Sequence, residues 1–258
     1  MAPGAATTDR PARRTVLVTG AGGGIGRACV DRFAAAGDDV FVADVDGDAA
    51  RRAAAAAPTA GGGTATAVVC DVTDPGSGRA AVAAALAATG RLDVLANVAG
   101  VGRLQPTGDV DLDGWNRTLA VNLTGTFLMC QHALPALVAH RGTIVNLASV
   151  AGVRGVPYGA AYSASKGGVV TLTKSLAVEF GAAGVRINCV CPSSVDTAFL
   201  DAFAFTGTID ESLFQRGSPV IGGRMDPDAV AATVAFLASP DAAMITGSAV
   251  MLDGGATA

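Results

Sequence analysis

The sequence is poor in charge, and its positive charges are outnumbered. Only 16% of its 258 residues are charged, and 18 Lys and Arg residues face 22 Asp and Glu residues, for a net charge of −4. Such a chain has no electrostatic reason to dock on phosphate backbones or anionic lipid, so we expect neither nucleic acid nor a membrane as partner. With 50% hydrophobic residues it is also too apolar to be disordered.

Metal-binding residues are scarce as well. The chain has two histidines and five cysteines, and no two cysteines form a C-x-x-C pair. A structural zinc site therefore lacks its usual ligands, and we predict no metal. Unpaired cysteines in an odd number are typical of reduced, buried thiols, so we predict a cytoplasmic protein.

Long hydrophobic runs and internal boundaries are missing too. No segment offers 18 or more consecutive large hydrophobic residues, as a membrane-spanning helix requires. Residues 1–13 lack the apolar core of a secretory signal, and we interpret them as a flexible tail. Since no repeat or low-complexity linker divides the remainder, we predict one domain over residues 14–258.

What the chain does contain is a regular alternation of two kinds of segment. Short runs rich in β-branched residues alternate with longer alanine-rich stretches, the pattern of βαβ units. The strand runs are almost continuously apolar, which is typical of a parallel sheet covered on both faces. The sequence therefore predicts an α/β fold with a doubly wound, seven-stranded parallel sheet and helices on both faces. Strands are predicted at 15–19, 40–44, 66–70, 92–96, 143–147, 185–191 and 249–252, and helices at 24–36, 47–57, 75–89, 113–139, 160–182 and 227–238.

A glycine-rich turn, Thr19-Gly20-Ala21-Gly22-Gly23-Gly24-Ile25-Gly26, lies between the first predicted strand and the first helix. Glycines there allow a tight turn, let the backbone approach a pyrophosphate and expose the positive end of the helix. A simple tight connection is the alternative, because 34 glycines make clusters common in this chain. The position within a βαβ unit favours dinucleotide binding.

Asp44 ends the second predicted strand, 24 residues after Gly20. A carboxylate at this place accepts hydrogen bonds from the adenosine ribose hydroxyls and repels a 2′-phosphate. No Lys or Arg lies in the glycine-rich turn before Arg27, so a 2′-phosphate would also lack a cationic partner. We therefore predict NAD rather than NADP. The alternative for Asp44 is a solvated strand end or a cap for the following helix.

Tyr162 and Lys166 are four residues apart in a predicted helix, which places the phenol and the ammonium on one face. A tyrosine with an ordinary pKa near 10 becomes a general base close to neutrality only when neighbouring positive charge lowers its pKa. With two tyrosines and two lysines in the whole chain, chance placement explains the spacing poorly. A packing pair on the helix surface is the alternative.

Ser149 follows the fifth predicted strand, at the carboxyl edge of the sheet where open α/β folds bind ligands. Its hydroxyl is placed to hold a substrate alcohol or carbonyl, although a turn or capping serine is the commoner role. A serine hydrolase is excluded because the surroundings are not G-x-S-x-G and both histidines lie upstream on one predicted helix.

Together these motifs resemble the classical short-chain dehydrogenase/reductase (SDR) family, from about Arg14 to Gly255. The resemblance implies a single-domain Rossmann fold and a catalytic tetrad. In this sequence the tetrad falls on Asn122, Ser149, Tyr162 and Lys166. The positions that match the family's cofactor-binding residues are Gly20, Gly24, Ile25, Gly26, Asp44, Asp71, Val72, Asn97, Ala99, Gly100, Tyr162, Lys166, Pro192, Val195 and Thr197.

The resemblance also implies roles for these residues. Tyr162 would exchange the hydroxyl proton, Ser149 would hold the same oxygen, and Lys166 would bind the nicotinamide ribose and lower the pKa of the tyrosine. Asn122 is similar to the residue that holds a water next to the lysine, although the sequence alone makes it a polar residue inside a helix. The family's N-N-A-G reads Asn97 to Gly100 with Val98 as its second residue, and its P-G reads Pro192-Ser193. The second departure leaves the local backbone beside the nicotinamide open.

The substrate region is the interval 198–223, which is long for a loop in an α/β unit and which we interpret as a substrate lid. It contains four of the nine phenylalanines, Phe199, Phe203, Phe205 and Phe214. With Val153, Val156 and Tyr158 they predict a pocket for a hydrophobic, even cyclic, secondary alcohol. An amphipathic helix without substrate contact is the alternative. Arg103, Arg154 and Arg216 are candidates for an anionic substrate, but exposed arginines need no special explanation.

The sequence thus predicts an NAD-dependent oxidoreductase acting on a secondary alcohol or ketone. The alternatives are a 3-oxoacyl-carrier-protein reductase, against which Asp44 argues, and a catalytically idle dinucleotide-binding sensor, against which the intact tetrad argues. An epimerase or dehydratase would need a longer C-terminal region. The family resemblance further implies a homotetramer that packs helices 113–139 and 160–182 against their copies, with no partner other than a small-molecule substrate.

Overall fold

The computed structural model describes residues 13–199, 210, 212–214 and 219–258. Its seven strands form one sheet in the order β3-β2-β1-β4-β5-β6-β7, and every neighbouring pair is parallel. This confirms the predicted doubly wound fold. The strands are β1 Thr15–Thr19, β2 Asp39–Asp44, β3 Thr64–Val69, β4 Val94–Asn97, β5 Thr143–Leu147, β6 Arg186–Pro192 and β7 Ala249–Leu252. The chain reverses its direction of travel across the sheet between β1 and β4, which in such folds is where ligands bind.

Helices cover both faces of the sheet. They are α1 Gly24–Ala35, α2 Gly47–Ala55, α3 Pro75–Thr89, α4 Leu112–Leu119, α5 Gly125–His140, α6 Ala160–Phe180 and α7 Pro227–Leu237. The predicted helix over 113–139 is confirmed as continuous helical backbone over residues 112–140, but a five-residue π-helical turn, Ala120–Thr124, divides it into α4 and α5. A π turn holds one more residue per hydrogen-bonded ring than an α turn, and the apolar pattern runs through it without a break.

The core consists of two layers, one on each side of the sheet. On one side α1 and α7 pack together through side chains such as Phe33, Val234 and Leu237. On the other side α3, α5 and α6 contribute Met129, Leu137 and other apolar side chains. The expectation that all strands are covered on both faces is wrong for β3, where every residue is exposed or only half-buried, because β3 is an edge of the sheet.

The helix N-termini differ in how their free N–H groups are satisfied. Four helices begin on an aspartate whose carboxylate accepts backbone N–H bonds: Asp46, Asp74, Asp111 and Asp226. Helix α1 instead begins after Gly23, which has no side chain to cap it. Its first N–H groups therefore remain available to an anion from outside the helix.

The first two described residues are arginines that pair with carboxylates at the start of β2. Arg13, assigned from the sequence to a flexible tail, forms an ion pair with Asp39, 3.4 Å between its Nη1 and the carboxylate. Arg14 follows with a bond of 2.6 Å to Asp38. The rest of the predicted tail, residues 1–12, lies outside the described residues.

Candidate active site

A cavity of about 1000 Å³ opens at the carboxyl ends of the central strands. Most of the predicted site residues line it. They are Gly20, Ile25, Gly26, Asp44, Asp71, Val72, Ala99, Gly100, Ser149, Tyr162, Lys166, Pro192, Val195 and Thr197. The structure therefore brings together residues that are far apart in the sequence, and it leaves only Gly24, Asn97 and Asn122 of the predicted set off the cavity wall.

The glycine-rich turn is locked against the loop that follows β4. Gly20 has a φ of +63°, and a Cβ on it would lie 2.6 Å from the Cα of Ala99. A Cβ on Gly26 would overlap the carbonyl oxygen of Gly20. The Thr19 hydroxyl oxygen accepts backbone N–H bonds from Val98 (3.1 Å) and Ala99 (3.2 Å). These close approaches require the glycines on steric grounds alone.

The same turn leaves room for a ligand. Gly23 lines the cavity, and a Cβ built on it would meet no atom within 4 Å. The uncapped first turn of α1 begins at this point. An open backbone next to unsatisfied helix N–H groups fits the pyrophosphate of a dinucleotide.

Asp44 faces the cavity while it also fastens the turn. One carboxylate oxygen accepts a 2.9 Å bond from the Gly22 N–H, and the other accepts a 3.0 Å bond from the Asp46 N–H. The cap of α2 is Asp46, whose carboxylate accepts bonds from the next helix N–H groups. The alternative that Asp44 caps this helix is therefore wrong, and its half-buried carboxylate keeps acceptor capacity toward the cavity.

Asp71 lies on the neighbouring part of the wall, after β3. Hydrogen bonds from the Thr73 hydroxyl and then from the Thr73 N–H lower the pKa of its carboxyl, and the positive charge of Arg117 adds to this. Arg117 also lines the cavity. Sequence reasoning missed Arg117, since nothing in its neighbourhood distinguishes it from any other exposed helix arginine.

Asn97 and Gly24 do not line the cavity but pack against residues next to it. The Asn97 amide donates to the Asn146 side chain (2.9 Å), and the Asn146 amide donates to the Thr173 hydroxyl (2.9 Å). Gly24, at φ +53°, sits under Thr197, whose methyl would lie 3.2 Å from a Cβ there. The sequence did not reveal the roles of Asn146 and Thr173, because buried polar pairs leave no periodic signal.

Tyr162 and Lys166 lie in the first turns of α6, as predicted. The Lys166 ammonium is 5.8 Å from the centre of the Tyr162 ring and donates a 2.7 Å bond to the carbonyl oxygen of Leu147. Burial raises the pKa of Tyr162 to about 12, opposed by a hydrogen bond with Ser149. Burial also lowers the pKa of Lys166 to about 8. Within the chain by itself, desolvation thus outweighs the expected effect of the lysine on the tyrosine.

Ser149 has the capping role that was the alternative from the sequence, and its hydroxyl also meets the Tyr162 phenol. Its hydroxyl oxygen accepts the Ala151 N–H (3.1 Å) and caps a short 3₁₀ turn, Val150–Gly152. The same hydroxyl is hydrogen-bonded with the Tyr162 phenol. Capping fixes the serine in place, and the bond to the phenol puts both oxygens at one point of the cavity.

Asn122 lies in the π turn and is fully buried. Its amide oxygen accepts the Val101 N–H (2.8 Å), and its amide nitrogen donates to the Val101 carbonyl (2.8 Å) and to the Ser165 hydroxyl (3.0 Å). The side chain thereby ties the loop after β4 to α6. Gly100 lies beside it, where a Cβ would be 3.4 Å from the Asn122 amide oxygen and 3.5 Å from the Lys166 nitrogen.

The two departures from the family pattern are accommodated locally. Val98 is buried, and its N–H reaches the Thr19 hydroxyl. Ser193 donates its N–H to the Leu252 carbonyl (3.1 Å). Among the described residues only Arg141 and Tyr158 have a positive φ without being glycine, so the backbone at Ser193 does not require one.

The substrate end of the cavity is lined by aromatic and aliphatic side chains, including Phe199, Phe214, Leu104 and Val156. The Phe199 ring lies 6.1 Å from that of Tyr162. Arg154 also lines this cavity, whereas Tyr158 and Arg103 line a second one and Val153 lines neither. Most of the predicted lid, with Phe203, Phe205 and Arg216, lies outside the described residues.

The described ranges contain neither a cluster of metal ligands nor a membrane-spanning helix. No three His, Cys, Asp or Glu side chains there are grouped so that they would hold a metal ion. No helix in that part of the chain has the length and apolarity to cross a membrane.

Comparison with known proteins gives consistent similarities. Residues 20–257 match the family model described as enoyl-(acyl carrier protein) reductase. The chain is 42% identical to D-threitol dehydrogenase of Mycolicibacterium smegmatis, over 95% of this chain and 93% of that one. It is 36% identical to cyclohexanol dehydrogenase of an Acinetobacter species, over 95% of each. Among solved structures, 3-ketoacyl-(acyl-carrier-protein) reductase from Brucella melitensis, complexed with NADH, superposes with a TM-score of 0.86 at 34% identity and covers 95% of this chain and 98% of its own.

Proposed function

Because the chain belongs to the short-chain dehydrogenase/reductase family, we propose that it transfers a hydride between NAD and a secondary alcohol or its ketone. It is an oxidoreductase acting on CH–OH groups. The observation that carries the proposal is the shared position of Ser149, Tyr162 and Lys166 on the wall of a cavity whose other end is the glycine-rich turn.

The cofactor is a nicotinamide dinucleotide, which supplies the hydride chemistry when bound. The uncapped start of α1 and the open backbone at Gly23 would hold its pyrophosphate. Asp44 would accept the ribose hydroxyls, and it favours NAD because a 2′-phosphate would meet this carboxylate. Asp71 and Val72 would contact the adenine. The other predicted residues that line the cavity would contact the rest of the dinucleotide.

The proton is handled by the chain's own side chains. Tyr162 would exchange it with the substrate oxygen, and Ser149 would hold that oxygen through the hydroxyl that already bonds the phenol. Since the phenol alone has a pKa of about 12, Tyr162 is protonated in the free chain and needs positive charge nearby before it acts as a base. Lys166 is the ammonium beside it, and it would also hold the nicotinamide ribose. Asn122 would be a positioning residue that fixes the loop and helix around Lys166.

The substrate is a hydrophobic secondary alcohol, cyclic ones included. Phe199, Phe214, Leu104 and Val156 give the substrate end an apolar wall next to the reactive oxygens. This supports a compact apolar molecule with one hydroxyl at the Tyr162 phenol. The similarity to cyclohexanol dehydrogenase supports the same class.

A second candidate is a 3-oxoacyl-carrier-protein reductase. The similarity to the Brucella melitensis reductase favours it. This candidate predicts turnover of 3-oxoacyl thioesters rather than of simple alcohols, so a direct assay on both substrate classes separates the two.

We further propose a homotetramer in the cytoplasm. The five cysteines are free and buried, as expected of thiols in a reducing compartment. Large apolar side chains are exposed on the helices that would pack against their copies, among them Leu112, Phe127, Val138 and Val178. Light scattering after size-exclusion chromatography tests the assembly, and a monomer at micromolar concentration would contradict it.

The decisive experiment is a titration of the purified protein with NADH and with NADPH, followed by an NAD⁺-driven screen of secondary alcohols. Tighter NADH binding with turnover is expected. Tyr162→Phe should keep NADH affinity within about twofold and lower turnover by about 10²–10⁴. Preference for NADPH would overturn the role of Asp44, and cofactor binding without turnover of any alcohol or thioester would leave a dinucleotide sensor.

A further inference from the structure

We propose that Tyr158 is a specificity-determining residue whose ring separates the substrate end of the main cavity from a neighbouring cavity and so limits the size of the alcohol. This inference rests on the proposed function, since it concerns the alcohol at the same site. It is independent of the tetrad, because Tyr158 is outside it.

A second cavity of about 480 Å³ lies beside the main one. The two cavities share Gly100, Val101, Arg117 and Phe199 as lining residues. The second cavity therefore adjoins the main one at the wall next to Tyr162, where Phe199 contacts the catalytic ring. Its volume is close to half that of the main cavity, which is ample for a substituent on a small alcohol.

Tyr158 lines this second cavity in an unusual backbone conformation. Its φ is +62°, in the left-handed region that a bulky side chain such as tyrosine rarely adopts. A conformation of this kind persists only when surrounding contacts hold it. The sequence offered no signal for it, because Tyr158 is preceded by proline and followed by glycine in an ordinary turn.

Three contacts hold the residue, one from the loop after β4 and two from the interval 198–223. Its carbonyl oxygen accepts the Gln105 N–H (2.9 Å), from the loop after β4. Its phenol oxygen accepts the Asp210 N–H (2.8 Å). Its ring stacks on Phe214 with centroids 5.9 Å apart and planes 29° apart. In the left-handed conformation the carbonyl oxygen, the phenol oxygen and the ring of Tyr158 make these three contacts simultaneously.

The stacked pair is part of the wall between the cavities, beside Phe199, which lines both. Tyr158 lines the second cavity, and Phe214 lines the main one. An alcohol bound with its hydroxyl at Tyr162 therefore meets the Tyr158–Phe214 pair before its far end reaches the second cavity. Compact alcohols fit in front of the pair, whereas a ring with a long alkyl substituent collides with it.

The test compares two variants on a series of alcohols of one chemistry. Tyr158→Gly removes the ring and suits a φ of +62°, so the fold is expected to persist. Tyr158→Phe keeps the ring and removes only the oxygen that accepts the Asp210 N–H. The alcohols are cyclohexanol and 4-methyl-, 4-propyl- and 4-pentylcyclohexanol, and the readout is the kcat/KM of each relative to that of cyclohexanol.

In Tyr158→Gly the ratio for 4-pentylcyclohexanol is expected to rise at least tenfold, mostly through KM, and in Tyr158→Phe to stay within about twofold. The ratio cancels any general loss of activity from the missing stack. NADH affinity is expected to be unchanged in both variants. An unchanged ratio in Tyr158→Gly overturns the inference, and so does an equal rise in both variants, which would assign the effect to the hydroxyl. If Tyr158→Gly fails to fold, Tyr158→Asn, which tolerates the same φ, replaces it. Absence of turnover of every alcohol by the unmodified protein would instead overturn the proposed function.

Discussion

The two ends of the main cavity differ in whether backbone or side-chain atoms form the wall. At the cofactor end the wall is backbone: the Gly20 to Gly26 turn, the loop after β4 and the open start of α1, held by bonds such as those from Thr19. At the substrate end the wall is side chain, with Phe199 and Phe214 as its largest members. Backbone walls are fixed by sterics, whereas side-chain walls change with each substitution. The cofactor end therefore serves any reaction of this chemistry, and the substrate end carries selectivity.

The largest expected effect is at the most crowded point of the cofactor end. Gly26→Ala would place its methyl on the Gly20 carbonyl oxygen, which is a backbone atom and not the end of a flexible side chain. We expect a loss of roughly 3 kcal/mol or more in the free energy of unfolding, measured in urea, and loss of NADH binding. Gly23→Ala is the matched control, since no protein atom lies near its Cβ. It should keep the stability and lose NADH affinity alone, and a fully stable Gly26→Ala would contradict the backbone account.

Lys166 lies between the two ends of the cavity. We expect it to lower the free energy of unfolding while it is required for activity. Its pKa of about 8 lies below the ordinary 10.5, so at pH 7 folding buries a charged ammonium at a cost. At about 1.4 kcal/mol per pH unit this cost is about 3 kcal/mol, and the bond to the Leu147 carbonyl recovers about 1. Lys166→Met should therefore be about 2 kcal/mol more stable at pH 7, with turnover lost.

The pH dependence gives the sign of this effect. From about pH 8 to 10.5 the folded protein releases the Lys166 proton while the unfolded chain keeps it, so the unmodified protein gains stability relative to the variant. Above pH 10 the raised pKa of Tyr162 acts in the opposite direction in both proteins, because only the unfolded phenol ionises. Urea unfolding at pH 7 and pH 9.5 measures the gap between the two proteins, and a gap that widens with pH contradicts the assignment.

A substitution at Asp44 tests whether one side chain determines the choice between NAD and NADP at the cofactor end of the cavity, where the wall is otherwise mostly backbone. Asp44→Ala should shift the ratio of NADPH to NADH affinity by about tenfold toward NADPH, because the repulsive carboxylate is gone. Asp46→Ala is the control: it removes the cap of α2, costs about 1 kcal/mol of stability and leaves the ratio unchanged. Equal ratios in the two variants would remove Asp44 from cofactor selection.

The smallest expected effect is at Arg27, the first cation after the glycine-rich turn. Its guanidinium pairs with Asp31 at 2.9 Å and donates to the Ala56 carbonyl, so it is already engaged within the chain. Arg27→Gln should change NADH affinity by less than about twofold and stability by less than about 0.5 kcal/mol. A tenfold loss of NADH affinity in a titration would mean that charge, and not backbone alone, builds this end of the cavity.

The parts of the molecule that the sequence predicts correctly are those governed by local rules. Strand runs, the glycine-rich turn and the Tyr162–Lys166 spacing each express a steric or periodic constraint within a few residues. For the same reason the fold and the glycine-rich turn follow from the sequence, whereas most other positions on the cavity wall were predicted only from the family resemblance.

The features that escaped prediction depend on partners distant in the chain. The left-handed Tyr158 is held by Gln105, Asp210 and Phe214, and the Asn146 side chain meets Asn97 and Thr173 across the sheet. The pKa of Tyr162 is set by burial, which depends on the packing of the whole site. None of these features leaves a pattern in neighbouring residues.

Because of the π turn at Ala120–Thr124, the geometry of the site depends on the number of residues between α4 and α5. Each residue advances a helix by about 100°, so deleting one residue between Leu112 and Val121 would restore a regular helix and swing the upstream α4 away from its present face. Asn122 itself would survive unchanged in such a deletion. The position of α4 relative to Asn122 therefore depends on the one additional residue in the π turn and not on the identity of any residue. A substitution at a single position would leave this arrangement in place, whereas a one-residue deletion would remove it.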